Sequence, residues 1–306
     1  MPDNTEKPKL SVIVASYNSR ATIEECLGSL LNQKTSQPYE IIVVDSSQDG
    51  TGDMIKSKFP DVRLFVFPER KYVGTARNLG IDLARGDIIA LTDADCMADE
   101  NWIDEICKAH QAFHPAIGGA ISNGNPQSYV GWAAYFCEFS AWIPSQSPGW
   151  KEDIAGANMS YKREIFEKYG KFIEGTYCSD TEFHWRLHKE GFRLRFEPAI
   201  LVSHQNICHF IQLNRHEYVH GRNFATVRVK AQKFSRGKRL AYVLFSPFLP
   251  IKLFLERGLK TFRSPYYLFH FLKCSPLLFF ALLSWSMGEV VSYIRGSRDD
   301  INSKKH

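Results

Sequence analysis

Two carboxylates one residue apart, Asp93 and Asp95, follow directly on the apolar run Ile88-Ile89-Ala90-Leu91-Thr92. Held at a strand end, such a pair suits a hard divalent ion, Mg2+ or Mn2+, whose other positions stay open to water and phosphate oxygens. Two further apolar runs end on polar residues placed to touch a ligand. Residues 10–15 give way to Ser16-Tyr17-Asn18, and residues 40–45 lead through Asp45 into Ser46-Ser47. No G-x-G-x-x-G follows the first run and no G-x-x-x-x-G-K-[ST] occurs anywhere, so the dinucleotide fingerprint and the P-loop are both absent. A phosphate bound here needs a metal or basic side chains in place of a glycine cradle. The seven cysteines are odd in number and scattered, with no C-x-x-C pair. That argues against a zinc knuckle or a disulfide framework and fits buried thiols in a reducing compartment.

These residues are positioned by alternating short apolar runs and helical spacings. Residues 10–15, 40–45, 62–67 and 87–92 read as strands, apolar throughout rather than alternating, as expected where helices cover both faces. Between them, residues 20–33, 52–59 and 74–84 carry helical periodicity, with Ile23, Leu27, Leu30 and Leu31 on one face of the first. Strand, helix, strand in repetition implies parallel pairing with right-handed crossovers, a Rossmann-like α/β sheet. The ligand site of such a sheet lies beyond the carboxyl ends of its strands, where Ser16, Asp45 and Asp93 fall.

The 306 residues divide unevenly in charge. Residues 1–206 hold 21 lysines and arginines against 28 acidic residues; residues 207–306 hold 17 against 5. A basic segment of this kind meets phosphates, of nucleic acid or of lipid headgroups. Uncharged, aromatic-rich runs at 240–251, 264–272 and 274–288 favour a membrane surface over a nucleic-acid groove. None of these runs alone reaches the ~20 residues of a spanning helix; Pro247 and Pro250 break the first, and Glu289 closes the last. The expectation is monotopic attachment through in-plane helices. The polar start, residues 1–7, has no apolar core of a secretory signal, and the expectation is a catalytic part on the cytoplasmic face. A second aromatic stretch, residues 131–150, suits stacking on sugar rings, a lipid interface or an ordinary core helix.

Four segments in fixed order carry a resemblance: Ser11-Val-Ile-Val-Ala-Ser-Tyr-Asn18, Tyr39-Glu-Ile-Ile-Val-Val-Asp45, Gly74-Thr-Ala-Arg-Asn-Leu-Gly80 and Arg85-Gly-Asp-Ile-Ile-Ala-Leu-Thr-Asp-Ala-Asp95. Together they resemble the family 2 glycosyltransferases of GT-A fold, over roughly residues 9–205. The resemblance implies an inverting enzyme with a nucleotide-sugar donor, a divalent metal and an Asp or Glu as general base. It assigns Ser16, Tyr17, Asp45, Arg77 and Asp93 to the nucleotide, and Asp95, Asp93 and His204 to the metal. Asp180, in Ser179-Asp180 where relatives carry Glu-Asp, takes the place of the base. Many relatives have a second acidic residue where Ser46 stands, and Asp49 in the following turn is the candidate to replace it.

The sequence thus predicts a GT-A catalytic domain over residues 1–206, mainly parallel, and a basic, apolar helical region over 207–306. The expected reaction is hexosyl transfer from a UDP-sugar, or alternatively a GDP-sugar, to an acceptor hydroxyl of a lipid-linked or membrane-proximal glycan, with no nucleic acid involved. Two alternatives are a nucleotidyltransferase of similar fold, which the absent glycine-rich start disfavours, and a non-catalytic sugar-nucleotide scaffold.

Overall fold

A computed structural model describes residues 7–112 and 114–295. The chain forms two compact units, Met1–Gly124 with Trp142–Gln205, and Asn125–Ala141 with Asn206–His306.

In the first unit the opening strands are β1 (Leu10–Ser16), β2 (Tyr39–Asp45), β3 (Arg63–Val66) and β4 (Ile88–Asp93). The helices α1 (Ile23–Leu31), α2 (Thr51–Lys58) and α3 (Val73–Leu83) connect them in sequence. The four strands pair in parallel in the order β3-β2-β1-β4. Leu10, Val12, Ile13, Val14, Ile42, Val43, Val44, Ile89 and Leu91 are all fully buried, which is why these runs are apolar on both faces. Register brings the polar ends together: Ser16 lies opposite Asp45, and Ala15 opposite Asp93.

Beyond β4 the sheet is mixed rather than parallel. It continues with β5 (Cys96–Ala98), α4 (Trp102–Ala109) and β6 (Ala116–Asn123), followed after the excursion described below by β7 (Gly149–Lys151) and β8 (Asn158–Lys162). Strand β8 runs antiparallel to both β4 and β6, β9 (Leu194–His204) parallel to β6, and β5 antiparallel to β9. The β6–β9 register shifts between Gly119 and Ala120, and the Asn158 amide fills the gap. Its Nδ2 donates to Ala120 O and Ile200 O, both at 2.9 Å, while its Oδ1 accepts from buried Trp102 Nε1 at 2.9 Å. A buried amide with every partner in place fixes this irregular join. After the shift Ala120 meets Leu201 and Asn123 meets His204, and on its other edge β9 sets His204 opposite Cys96 of β5.

The second unit is helical. It takes in Asn125–Ala141, which the sequence reading kept within the 1–206 domain. That excursion carries helix α5 (Tyr129–Phe139), whose Trp132, Tyr135, Phe136 and Phe139 are buried. These rings are core, not a sugar platform: Trp132 stacks on His270 at 4.1 Å and Phe136 meets Phe271 at 5.5 Å. The remaining helices are α8 (Phe210–Ala231), α9 (Arg236–Phe245), α10 (Leu249–Thr261) and α11 (Pro265–Arg295); α6 (Arg163–Tyr169) and α7 (Ser179–Lys189) belong to the first unit. Pro247 and Pro250 do end α9 and open α10. Lys273 does not divide the last two apolar runs, and both merge into α11, because one charged residue interrupts no backbone hydrogen bond.

Helices α8 and α11 touch backbone to backbone. A Cβ on Gly221 would lie 2.2 Å from Trp285 O, and one on Gly288 would lie 2.1 Å from Tyr218 O. Thr226 and Ser292 hydroxyls meet across the seam at 2.9 Å. Glu289, the charge that closed the last apolar run, is buried and accepts from Trp285 Nε1 and Tyr293 Oη, each at 2.7 Å, with Arg228 at 3.6 Å.

Candidate active site

The turns after β1 and β2 are tied to each other. Asn18, with φ at 52°, donates its N–H to Ser47 Oγ at 2.7 Å, and its Oδ1 accepts from Gln48 N at 3.0 Å. Ser46 N donates to Ser16 O at 3.0 Å. Behind them Asp45 is fully buried; its Oδ1 accepts from Ser47 Oγ at 2.6 Å, and its Oδ2 has no hydrogen-bond partner. The buried Ser16 hydroxyl also has none. Buried polar atoms rarely stay unsatisfied, so an orphaned acceptor beside an orphaned hydroxyl is a place for a ligand's donors. Asp49 does not replace the acidic residue missing at Ser46. Its oxygens are taken by Arg20 N at 3.3 Å and by Thr51 N at 3.1 Å, where it opens α2.

Tyr17 is partly exposed, and the Arg70 guanidinium covers its ring at 4.4 Å. Arg70 Nη2 also donates to Tyr177 Oη at 2.9 Å, and Tyr72 packs edge-on against Tyr177. Arg70, Tyr72 and Tyr177 were not singled out from the sequence. They stand in segments without periodicity, and only the fold gathers them beside Tyr17.

Arg77 is the hinge of the site. Its side chain, on α3, is buried; Nη2 donates to Asp93 Oδ1 at 2.7 Å and to Gly156 O at 2.8 Å, and Nη1 lies 4.0 Å from Asp180 Oδ2. The guanidinium therefore faces both expected acidic residues. Asp180 sits in the first turn of α7, after Cys178 with its left-handed φ of 56°, so the cap position is not its own. Its Oδ1 accepts from Thr181 N at 2.9 Å. A Cβ on Gly156 would come within 2.3 Å of Asp180 Oδ2 and 3.1 Å of Arg77 Nη1, so only glycine leaves that carboxylate in place.

Below Asp180 runs a partly buried hydrogen-bonded chain that the sequence reading missed. His184, one helical turn further along α7, bonds Asp153 through Nδ1 and Tyr161 Oη through Nε2, the latter at 2.5 Å. Thr181 Oγ1 adds a bond to Asp153 Oδ2 at 3.2 Å. The spacing of Asp180 and His184 was visible on one helix face; Asp153 and Tyr161 lie on other segments and were not.

Asp95 and His204 come together at the β5–β9 pair, with Oδ1 and Nε2 3.4 Å apart. The Cys96 sulfur completes a group whose ligand atoms lie within 4.8 Å of one another; Asp93, turned to Arg77, is not among them. Burial, together with the Asp95 and Asp93 carboxylates, pushes the Cys96 thiol well above its ordinary value, and Cys26 likewise. What remains is one carboxylate oxygen and one imidazole nitrogen, a donor set that fits Mn2+ and leaves room for phosphate oxygens.

A sheet whose parallel half ends in Ser16, Asp45 and Asp93, joined to a mixed half that brings His204 to Asp95, with Asp180 on α7 facing Arg77, defines an α/β fold of glycosyltransferase type. The family model for glycosyl transferase family 2 matches residues 11–170, and the chain belongs to that family. Relatives include the glycosyltransferase AglE of Haloferax volcanii, 25% identical over 64% of this chain and 67% of its own length. The glucosyl-dolichyl phosphate glucuronosyltransferase of the same organism is 26% identical over 55% of this chain and 57% of its own. The poly-beta-1,6-N-acetyl-D-glucosamine synthase of Staphylococcus aureus is 28% identical, with 63% of this chain matched to 48% of that one. The chain thus spans about half to two thirds of the length of these relatives. Among solved structures, the fold is shared with the mannosyltransferase PcManGT from Pyrobaculum calidifontis in complex with GDP-Man and Mn2+. The TM-score is 0.62 at 20% identity, over 96% of this chain and 89% of that one. It is shared also with S. aureus TarS 1–349 in complex with UDP-GlcNAc, at a TM-score of 0.53 and 15% identity over 94% and 92% of the two chains.

Proposed function

We propose that this chain is an inverting hexosyltransferase that moves a sugar from a nucleoside-diphosphate donor to an acceptor hydroxyl on a lipid-linked or membrane-proximal glycan. The observation that carries the reading is the meeting of Asp93 and Asp180 on Arg77, beside strand ends that hold the orphaned Asp45 and Ser16 atoms. Asp45 and Ser16 would take the donors of the nucleoside, with Tyr17 and its covering Arg70 at the pocket edge. Asp180 would accept the acceptor's hydroxyl proton as that oxygen attacks the anomeric carbon and the bond to the diphosphate breaks on the opposite face. Arg77 would keep Asp93 and Asp180 in mutual register. Asp95 and His204 would hold Mn2+ or Mg2+; when bound, that ion supplies positive charge to the departing diphosphate. Both donors named for the structural neighbours are nucleoside-diphosphate sugars, which supports this donor class, and the dolichyl phosphate relative supports a lipid-linked acceptor.

Incubation with UDP- and GDP-sugars, with and without Mn2+, tests the reading. The wild type should release nucleoside diphosphate slowly and only with Mn2+, and Asp95→Ala should lose most of that turnover while keeping its fold. Wild-type turnover in Asp95→Ala overturns the metal assignment; release of pyrophosphate points to nucleotidyl transfer, and no turnover with any donor to a scaffold.

We also propose attachment to the cytoplasmic face of a membrane. Leu244, Phe245, Phe248, Leu255, Leu259 and Phe262 of α9, α10 and the turns that flank them are exposed, among Arg236, Lys238, Arg239, Lys252, Lys260 and Arg263. An exposed apolar patch ringed by basic residues fits an anionic lipid surface, where each cation is worth ~1 kcal/mol. Among the described residues one helix, Pro265–Arg295, is long and apolar enough to cross a membrane, with a mean hydropathy of 1.6 over its most apolar stretch, yet 44% of that stretch is buried inside the protein. In flotation with vesicles, the protein should rise with phosphatidylserine-containing vesicles and much less with neutral ones. Phe245→Glu combined with Phe248→Glu should abolish the flotation. Equal flotation of that variant, or none of the wild type, rejects this surface.

A further inference from the structure

The helical unit gathers a second group of ligand-type side chains. Glu138 lies in the last turn of α5, and His216 and His220 stand one turn apart on α8, so both rings project from one helix face. One ligand atom from each of the three lies within 4.8 Å of the other two. His216 Nε2 is 3.3 Å from Glu138 Oε1, and the two imidazole centroids are 5.6 Å apart. Tetrahedral zinc, with bonds of ~2.0–2.2 Å to nitrogen and oxygen, sets its ligand atoms about 3.3–3.5 Å apart. The first pair is already at that spacing. His220 is backed by the Trp285 ring at 4.8 Å, and all three side chains are partly buried.

A second, independent observation concerns Glu217, between the two histidines in sequence. It is fully buried, and neither carboxylate oxygen has a hydrogen-bond partner at normal geometry. Arg257 is itself engaged, since Nε and Nη2 both donate to Cys137 O, at 3.1 and 2.8 Å. A buried carboxylate left without hydrogen-bond partners is costly unless a cation lies close by.

We propose that Glu138, His216 and His220 bind a divalent transition-metal ion of the zinc class, with water in the fourth position. The ion fastens α5 to α8 and brings positive charge close to Glu217. It belongs to residues other than the strand-end Asp95 and His204.

Metal-stripped full-length protein, titrated with Co2+ and then with Zn2+, tests the proposal. The wild type and Asp95→Ala should both develop the intense visible bands of four-coordinate Co2+, bleached by Zn2+, and Zn2+ should raise the melting temperature of both. His216→Ala and His220→Ala should lose the bands and the Zn2+ shift, and Glu138→Gln should weaken them. Circular dichroism establishes that each variant is folded; should the alanine variants fail that check, Glu138→Gln alone decides. Absence of the bands in the wild type, or bands and a Zn2+ shift of equal size in the folded His216 and Glu138 variants, overturns the site. Loss of the bands in Asp95→Ala with retention in His216→Ala assigns the ion to the strand ends and overturns it equally.

Discussion

Replacing Asp180 by asparagine should lower the turnover of donor and acceptor by ~10²–10⁴ while leaving donor affinity nearly unchanged, the usual cost of losing a general base. The substitution is chosen for what it keeps. The Oδ1 that accepts from Thr181 N survives, as does the shape beside Gly156, so α7 stays where it is. What goes is the proton acceptor. Rates of nucleoside diphosphate release at saturating donor, set beside calorimetric donor affinity, separate the two effects. A variant that turns over normally removes Asp180 from the chemistry, and one that loses donor affinity moves it to the nucleotide pocket.

Arg77→Met should damage both the stability and the activity of the first unit. The guanidinium is 3% exposed and Asp93 is 32% exposed, so one partner is left with some access to water. Breaking a buried pair costs 3–5 kcal/mol, and the partial exposure of Asp93 places this one at the lower end, about 3 kcal/mol. Gly156 O loses its donor as well. Urea unfolding of Arg77→Met, of Asp93→Asn and of the double variant should give non-additive losses, with a coupling of ~1–3 kcal/mol. Additive losses would mean that the pair contributes nothing of its own. Turnover of Arg77→Met should collapse too, since both acidic side chains lose the group that orients them.

The parts of the fold legible in the sequence were those written in local pattern. Largely apolar runs located β1, β2 and β4 to within a residue or so, because strands covered on both faces carry few polar positions. Their polar ends marked the site, since parallel register aligns the ends of neighbouring strands. Less legible was whatever depends on distant segments. Nothing local announces the shift at Gly119 and Ala120, the pairing of His204 with Cys96, or the Arg77 contact that turns Asp93 away from the Asp95 cluster. The aromatic stretch of α5 reads the same whether it meets sugar, lipid or helix. Only the ring contacts with His270 and Phe271 decide for a helix.

The seam between α8 and α11 has a consequence for how this protein meets a bilayer. At Gly221 and Gly288 the two backbones leave no space for even a methyl group, and Ser292, Thr226 and Glu289 are bonded across or along the same face. Taken alone, α11 is greasy enough to dissolve in lipid. Peeled from α8, it would carry hydroxyls and a carboxylate into hydrocarbon, at ~2.5–3.5 kcal/mol for a charged group at mid-depth. Insertion of that one helix would therefore have to break the α8–α11 seam. On the membrane attachment proposed above, the bundle would dock as one piece.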